Sequence, residues 1–320
     1  MRSNPPAAGG RAQVRRAQVL GHRLRNQDDL LRSNIVLVTV DSCRFDTAVR
    51  ASTPVLDAVA DLRRAETYGS FTLPAHSAIF GGFLPNVREE PRSDFYSKEC
   101  RQLWRMDRAR SPARPRHLLL LPGDNIVAGL RHYGYRAIGA GGVRWFASGY
   151  FPSFFDEFYY WGPDRDAVDK FAPRKAEDFA LFHTSLLAER AVAAGRFLLF
   201  INAAETHAPY GTGHGSMESA DLDLILRRWA GSWNGGSHLP DTRQCAADMK
   251  LLHQAQVEAL ETVDRQLGKL LDMLPKPLLL IVCGDHGEAF GEDAMWGHDF
   301  PAKEVMEVPL WMGFVDGVTW

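Results

Sequence analysis

Three short, predominantly apolar runs of residues constrain what this chain can fold into. They occupy residues 35–40, 197–202 and 278–282. Each run is continuous rather than alternating and too short for a buried helix, which is typical of a strand buried on both faces. Segments with helical periodicity lie between them, including residues 126–133 and 246–274. Strands that alternate with helices predict a three-layer α/β/α fold around a mostly parallel central sheet.

The same pattern sets the expected domain boundaries. Strand and helix signals continue almost to the C-terminal end, so we expect residues 33–320 to form one domain. Residues 1–32 are rich in arginine and lack the apolar stretch of a secretory signal, which predicts a disordered basic tail. Two irregular regions, near 88–120 and 211–245, are expected to be excursions over the edge of the sheet.

Charge and composition narrow the classes of partner. The formal net charge is -2, which provides no global field for nucleic acid, so no nucleic-acid partner is expected. No run approaches the roughly 18 apolar residues of a membrane span. The four cysteines are scattered singly, which favours a reducing compartment and hence a cytoplasmic location. The oligomeric state is left open by these features.

Acidic residues directly follow two of the buried strand runs. Asp41 ends the first run, and Asp285 and His286 follow the last one after a Cys-Gly pair. Because ligands bind at the carboxyl ends of strands in open α/β sheets, these side chains can converge on one cation. The alternative is that each aspartate only caps the turn or helix that follows it. Their occurrence after two strands, with an adjacent histidine, favours the metal site.

A helix predicted to begin near Thr72 and to end at Gly81 carries a candidate nucleophile. Thr72 stands two residues before Pro74, which is an ordinary way to begin a helix. The same geometry points its hydroxyl at the positive end of the helix dipole, where an alkoxide would be stabilised. This segment alone leaves both interpretations open.

Four motifs together resemble the sulfatase-type members of the alkaline phosphatase superfamily. In chain order they are residues 34–41 with 53–57, residues 72–85, residues 205–210, and residues 284–288 with 296–298 and 308–310. Thr72, Gly82 and Pro85 keep the spacing of the family's nucleophile segment. A set of four motifs in the right order is much more specific than any one member. The resemblance implies a metal-dependent ester hydrolase or transferase with the family's α/β fold.

Several departures from that family change the expected chemistry. Thr72 stands where a sulfatase has the cysteine that becomes formylglycine, so the formylglycine mechanism is not expected. His76 replaces the arginine that accompanies that group, and Ser42 replaces the second aspartate of the usual pair. His286 stands where calcium sulfatases often have asparagine. One divalent metal is expected, with Zn²⁺ or Mn²⁺ favoured over Ca²⁺ or Mg²⁺ because a carboxylate is lost and an imidazole gained.

The threonine is similar to that of phosphoethanolamine transferases and glycerol-phosphate polymerases of the cell envelope. The resemblance then implies the following metal ligands: Asp41, Thr72, Asp285 and His286. In this scheme the Thr72 alkoxide attacks phosphorus or sulfur and forms a covalent ester on the threonine.

Three histidines complete the implied site. His298 would protonate the leaving oxygen or bind the transferring group, which makes it a catalytic candidate together with His207. His207 and His76 would contact the other oxygens of that group. For each of them the alternative is a histidine satisfied by an ordinary hydrogen bond.

The remaining expectations concern parts that the motifs do not cover. A second metal is not supported, because Ala203 stands where an aspartate would precede His207 by four residues. The family's smaller C-terminal subdomain is expected to be reduced or absent. The basic stretch 92–116, with Arg101, could bind an anionic substrate or could simply be a solvated surface. Glu288 is expected to cap or solvate its loop, and the aromatic residues of 145–161 are expected to serve packing.

The predicted function is therefore a metal-dependent hydrolase that cleaves phosphate mono- or diesters through a covalent phospho-threonine. Its substrate would be a small anionic ester. The alternatives are a phospho-group transferase, a sulfate-ester hydrolase on the same site, and a catalytically silent, metal-stabilised binding protein. The organic part of the substrate cannot be read from these motifs, because loops outside them usually determine it.

Overall fold

The computed structural model describes residues 33–82, 125–147, 150–163, 169, 171–172, 174–211, 219–234 and 236–316. The elements from the N-terminus to the fifth strand are β1 (Asn34–Val40), α1 (Phe45–Arg50), α2 (Pro54–Val59), β2 (Arg63–Glu66), α3 (Thr72–Gly81), α4 (Ile126–His132), β3 (Arg136–Gly141), β4 (Glu157–Tyr160), α5 (Thr184–Ala194) and β5 (Phe197–Ala203). The later elements are α6 (Ser219–Trp229), α7 (Arg243–Met273), β6 (Leu278–Gly284), β7 (Ala289–Phe290), β8 (Trp296–Gly297), α8 (Lys303–Met306) and β9 (Glu307–Val315).

Seven of these strands form the central sheet, in the order β2-β9-β6-β1-β5-β3-β4. The five strands from β6 to β4 are parallel, whereas β9 runs antiparallel to both of its neighbours. The predicted α/β fold with a mostly parallel sheet is therefore confirmed. The short strands β7 and β8 form a separate antiparallel pair.

Strand β1 shows why the sheet is buried on both faces. Val36 and Val38 lie in one apolar cluster, and Ile35 and Leu37 lie in another. Successive side chains of a strand point to opposite faces, so these two clusters are the two layers of core. Side chains of α5 and α7 complete the first cluster, and side chains of α3 and α4 complete the second.

Two short strands are not predicted from the sequence, because they lie at the edges of the sheet. Strand β2 has the sequence Arg-Arg-Ala-Glu and pairs through its backbone with β9. An edge strand needs no apolar side chains to make these bonds, so it leaves little trace in a hydrophobicity pattern. Strand β4 has four half-buried residues, and it closes the opposite edge.

The region near 211–245 is less irregular than predicted. Helix α6 lies within it, and Leu222, Ile225 and Leu226 are its buried residues. Their spacing is that of one helical face, but Ser- and Gly-rich flanks conceal so short a segment. The basic tail, Arg101 and the whole of the excursion 88–120 lie outside the described residues, so the domain boundaries stay predictions. Within the described ranges, no helix combines the length and apolar character needed to cross a membrane.

Candidate metal centre and active site

Asp41 and Asp285 follow neighbouring parallel strands at the same edge of the sheet. Strands β1 and β6 are paired with Val40 opposite Gly284. Each aspartate is the next residue along its strand, so the two carboxylates emerge side by side. With His286 they form a buried triad whose ligand atoms all lie within 4.8 Å of one another.

His286 presents one ring nitrogen to the two carboxylates. Its Nε2 lies 3.5 Å from Asp285 Oδ2 and 3.8 Å from Asp41 Oδ1. Its Nδ1 lies 2.9 Å from the carbonyl oxygen of Gly287. That bond assigns the proton to Nδ1 and leaves the Nε2 lone pair for a metal. Burial lowers the pKa of His286, which favours the neutral, metal-binding form of the ring.

The two aspartates of the triad differ in their electrostatic surroundings. Burial raises the pKa of Asp285 well above its usual value, and the charge of Asp41 adds to this effect. Burial also opposes ionisation of Asp41, but His207, His286 and a hydrogen bond from Asn202 outweigh it and hold its pKa below the usual value. Asp285 Oδ2 is buried and accepts no hydrogen bond from the described residues. A divalent cation fits here, because it would satisfy this oxygen and offset the repulsion between the carboxylates.

Thr72 opens helix α3 directly beside the triad. Its Oγ1 lies 3.5 Å from Asp41 Oδ2 and 3.4 Å from His286 Nε2. The preceding residue, Phe71, is extended, so Thr72 is the first helical residue. Backbone N–H groups of the first turn have no helical partner, and the helix dipole is positive at this end. The structure thus brings Asp41, Asp285 and His286 together beside the Thr72 hydroxyl, so the four predicted metal ligands lie in one buried group.

His76 lies in the protein interior next to Thr72 and not on an open surface. It is fully buried; its Nδ1 lies 2.8 Å from the carbonyl oxygen of Thr72, and its Nε2 lies 2.9 Å from Thr39 Oγ1. Burial lowers the pKa of His76 to about 4. Both ring nitrogens are therefore occupied by the protein. This placement favours holding the first turn of α3 in position over the predicted contact with substrate.

His298 lies beside His286 of the triad, and His207 lies beside His298. The His298 ring is 4.5 Å from the ring of His286 and 5.6 Å from the ring of His207, centroid to centroid. His207 Nδ1 lies 2.6 Å from the carbonyl oxygen of Ala208, which leaves Nε2 for another partner. Both histidines line the same cavity as Thr72. Their placement is compatible with the predicted contacts to a transferring group.

These features can be compared with known proteins. A family model described as Sulfatase matches residues 33–312. The chain belongs to the sulfatase family. Among proteins of curated function, no sequence matches it significantly.

Several solved structures share the fold of this chain. The C-terminal periplasmic domain of EcEptC from Escherichia coli is 15% identical with a TM-score of 0.55, over 89% of this chain and 73% of that one. The same domain in complex with Zn is 13% identical with a TM-score of 0.54, over the same shares of the two chains. The soluble domain of lipooligosaccharide phosphoethanolamine transferase A from Neisseria meningitidis is 16% identical with a TM-score of 0.51, over 88% of this chain and 76% of that one. At these identities the similarity establishes the fold.

Ser42 shows how this sulfatase-family site differs in detail from one with paired aspartates. Its backbone N–H donates to Asp285 Oδ1 at 3.1 Å, and its hydroxyl donates to Asp41 Oδ1 at 3.3 Å. Its φ of 61° lies in the left-handed region, which costs about 1 kcal/mol or more for a residue with a side chain. Ser42 therefore orients the carboxylates of Asp41 and Asp285. In the paired-aspartate pattern, an aspartate at this position is instead expected to be a metal ligand.

Sequence analysis missed Asn202, which holds Asp41 from the neighbouring strand. Its Nδ2 donates to Asp41 Oδ2 at 3.0 Å, and the whole side chain is buried. The available signal was a polar residue near the end of the apolar run in β5, the same signal that identified Asp41 after β1.

The prediction that Glu288 caps or solvates its loop is wrong. Glu288 is fully buried, and its Oε2 accepts hydrogen bonds from Tyr210 Oη at 2.9 Å and from Gln256 Nε2 at 3.4 Å. Its Oε1 lies 3.8 Å from His298 Nδ1. The carboxyl group is therefore held inside the protein, where it faces the His298 ring. Gln256 lies in the middle of α7, so its contribution could not be read from the metal motif.

A cavity of about 480 Å³ opens beside Thr72, His207 and His298. Much of its wall is aromatic, with Trp145 and Trp233 among the lining residues. The aromatic segment is expected from sequence to serve packing, and Phe146 and Phe155 are buried in the core as expected. Trp145, by contrast, is 43% exposed and forms part of the cavity wall. A substrate with an apolar organic part would find complementary surface here.

Proposed function

We propose that this protein is a metal-dependent hydrolase that cleaves phosphate mono- or diesters through a covalent phospho-Thr72 intermediate. The observation that carries the proposal is the position of Thr72. Its hydroxyl lies within 3.5 Å of two members of a buried Asp-Asp-His triad and borders a cavity large enough for a substrate. Membership of the sulfatase family supports ester chemistry at such a site.

The residues that would hold a divalent cation are Asp41, Asp285 and His286, with Thr72 as the fourth ligand. When bound, the cation would supply positive charge that favours the threonine alkoxide and an ester oxygen in the transition state. One imidazole among carboxylate ligands favours Zn²⁺ or Mn²⁺ over Ca²⁺ or Mg²⁺. The Zn complex of the EcEptC domain, which has the same fold, supports a divalent metal.

In the proposed first step, the Thr72 hydroxyl loses its proton to water in the cavity and its oxygen attacks phosphorus in line with the leaving alcohol. The new bond to Thr72 forms as the bond to the leaving oxygen breaks. His298, whose Nδ1 lies 3.8 Å from Glu288 Oε1, donates a proton to that oxygen. His207 Nε2 contacts an oxygen of the transferring group. Water then cleaves the threonine ester, releases phosphate or a phosphomonoester, and restores the hydroxyl.

A transferase is the second candidate, because solved structures of this fold include lipooligosaccharide phosphoethanolamine transferase A, both as its soluble domain and as the integral membrane protein. A transferase would share the first step and use an alcohol in place of water in the second. The two functions differ in whether an added alcohol competes with water for the phosphoryl group. Sulfate esters are the third substrate class to compare, since the family name itself refers to them.

The test is a panel of phosphate monoesters, phosphate diesters and sulfate esters, each assayed with Zn²⁺, Mn²⁺, Mg²⁺ and Ca²⁺ added separately. Activity on phosphate esters with Zn²⁺ or Mn²⁺ is the expected result. Activity confined to sulfate esters with Ca²⁺ would overturn the assignment of substrate and metal.

The role of Thr72 is tested by Thr72→Ala, which removes the attacking oxygen. We expect turnover of the best ester to fall about 10³-fold or more, as removal of an enzymatic nucleophile generally causes. Thr72→Ser should retain part of the activity, and mass spectrometry of quenched wild-type protein should detect a phosphorylated Thr72 peptide. Thr262→Ala is the matched control, since Thr262 is a buried threonine of α7 whose hydroxyl bonds to the Glu258 carbonyl oxygen and to Arg265. Undiminished turnover by metal-loaded Thr72→Ala would eliminate the proposed covalent mechanism through Thr72.

A further inference from the structure

Arg174 is a half-buried cation that the proposed mechanism does not use. It lines the same cavity as Thr72 and His207. Its guanidinium carbon lies 4.0 Å from the centre of the Phe179 ring, and its Nη2 donates to the carbonyl oxygens of Trp161, at 3.2 Å, and Asp178. A guanidinium stacked on a ring and tied to two carbonyls is held in one orientation.

Those bonds leave part of the guanidinium available. Both hydrogen bonds that Arg174 donates to the described residues come from Nη2, and both acceptors are neutral carbonyls. Arginine carries five donors in a planar fork. Nε and Nη1 therefore make no hydrogen bond to the described residues, and Arg174 is one of the residues that line the cavity.

The charge of Arg174 is only partly offset by the protein. Glu205 is the acid with the strongest electrostatic effect on it, followed by Asp178. Burial raises the pKa of Glu205 to about 7, so this carboxyl group is only partly ionised near neutral pH. A cation that is withdrawn from water with weak compensation is more stable when an anion binds to it.

Arg174 lies at some distance from the Asp41, Asp285 and His286 triad. Its Nη2 lies next to Gly142, just beyond the end of β3, where a Cβ added to the glycine would be 3.5 Å from that nitrogen. Asp41 follows β1, and β5 lies between β1 and β3. Two strand spacings of about 4.8 Å place the guanidinium on the order of 10 Å from the triad, at the same edge of the sheet. That is too far for one phosphoryl group to contact both, yet close enough for one substrate.

We propose that Arg174 forms an oxyanion subsite distinct from the metal centre, so that the substrate carries a second anionic group on its organic part. This inference rests on the proposed function for its kinetic test but not for its binding test. A carboxylate or a second phosphate would fit, because either accepts paired hydrogen bonds from a guanidinium. Aromatic side chains that line the same cavity would cover the linking part of the molecule.

The kinetic test compares two aryl phosphates that differ only in a carboxylate at the end of a short alkyl arm. Wild-type protein should show the lower KM for the carboxylated ester. Arg174→Met should raise KM for that ester about tenfold or more and change KM for the plain ester little, since one charge-assisted interaction is lost. Arg174→Lys should keep part of the preference. Arg190→Met, which removes an exposed arginine of α5, should keep all of it.

The binding test needs no turnover. The carboxylated phenol without its phosphate is titrated into metal-loaded protein and followed by tryptophan fluorescence, because Trp145 and Trp233 line the cavity. Wild type and Arg190→Met should bind it about tenfold or more tightly than Arg174→Met. If no ester is hydrolysed but this difference is found, the proposed function fails and the subsite stands.

Two results would overturn the subsite. One is a folded Arg174→Met protein, with an unchanged thermal melting curve, that binds the carboxylated phenol as tightly as wild type. The other is an equal rise in KM for both esters, which would place Arg174 at the transferred group. If Arg174→Met does not fold, Arg174→Lys and Arg174→Gln are measured against the same pair of esters.

Discussion

Asp41 is oriented by residues that do not themselves bind a metal. Asn202 Nδ2 donates to its Oδ2 at 3.0 Å, and Thr206 Oγ1 donates to its backbone carbonyl at 2.6 Å. Ser42 Oγ donates to its other carboxylate oxygen at 3.3 Å. Such contacts fix the direction in which a ligand oxygen points, and their loss typically weakens a metal site about tenfold to a hundredfold.

Asn202→Ala should therefore bind Zn²⁺ or Mn²⁺ about tenfold to a hundredfold more weakly than wild type, measured by competition with a coloured chelator. Val38→Ala is the control, because it also shortens a fully buried side chain of the central sheet but does not touch the triad. The control should lower the free energy of unfolding and leave metal affinity unchanged. Equal weakening in both variants would mean that Asn202 acts only through general stability.

At the level of elements, the site depends on how closely the loop after β6 packs against its neighbours. Gly284 and Gly287 flank the two ligands of this loop. A Cβ at Gly287 would lie 2.0 Å from the carbonyl oxygen of Glu304, and a Cβ at Gly284 would lie 2.7 Å from that of Cys43. The backbone N–H of Gly287 also donates to the carbonyl oxygen of Val305 at 2.7 Å. Only glycine permits this approach, so α8 and the metal loop are positioned together.

Gly287→Ala should shift the backbone beside His286 and reduce both metal affinity and the thermal midpoint. Gly129→Ala offers a matched comparison, because a Cβ there meets nothing within 4 Å and the residue lies in α4. That variant should be stabilised by about 0.5–1 kcal/mol, since alanine favours a helix over glycine. Metal titration and calorimetry of both variants measure the effect. A Gly287→Ala protein with wild-type metal affinity would show that the loop tolerates the shift.

Across the whole molecule, the parallel strands bring polar groups from distant parts of the chain to one buried edge. Glu205 lies just beyond β5 at this edge and is fully buried. Burial raises its pKa from 4.5 to about 7. Between these values the unfolded chain releases the proton while the folded protein still holds it, so this group's contribution to stability declines as pH rises.

The free energy of unfolding contributed by Glu205 should thus fall by about 3 kcal/mol between roughly pH 4.5 and pH 7. Urea denaturation of wild type and Glu205→Gln at several pH values in this interval measures it. The variant should become more stable relative to wild type as pH rises. Glu177→Gln, which alters an exposed glutamate, should follow the wild-type curve. Parallel curves for all three proteins would contradict the assignment.

The location of the protein in the cell stays a prediction. Cys43, Cys245 and Cys283 are free thiols, and Cys100 lies outside the described residues. Isolated thiols favour a cytoplasmic location, whereas the EcEptC domain of the same fold is described as periplasmic. Cell fractionation distinguishes the two compartments.

The apolar runs of β1, β5 and β6 determined the fold class, because a strand buried on both faces must be apolar throughout its length. Asp41, Asp285 and His286 were predictable for a related reason. Each is a polar residue that follows such a strand directly or one residue later. Parallel strands end at a common edge of the sheet, so these residues meet there. Thr72 was predictable from its place at the start of a helix within a family motif.

The tertiary structure alone decided which further side chains lie at the carboxyl-terminal edge of these strands. Arg174, Glu288 and Asn202 come from different segments, and their contacts with Trp161, Tyr210 and Asp41 span 13, 78 and 161 residues of sequence, with no local pattern to reveal them. In the buried interior His76 has two hydrogen-bond partners, and Glu288, which was predicted to be solvated, is bonded to Tyr210 and Gln256. Local sequence specifies where a strand or helix ends, whereas packing specifies which groups are desolvated together, and desolvation determines their chemistry.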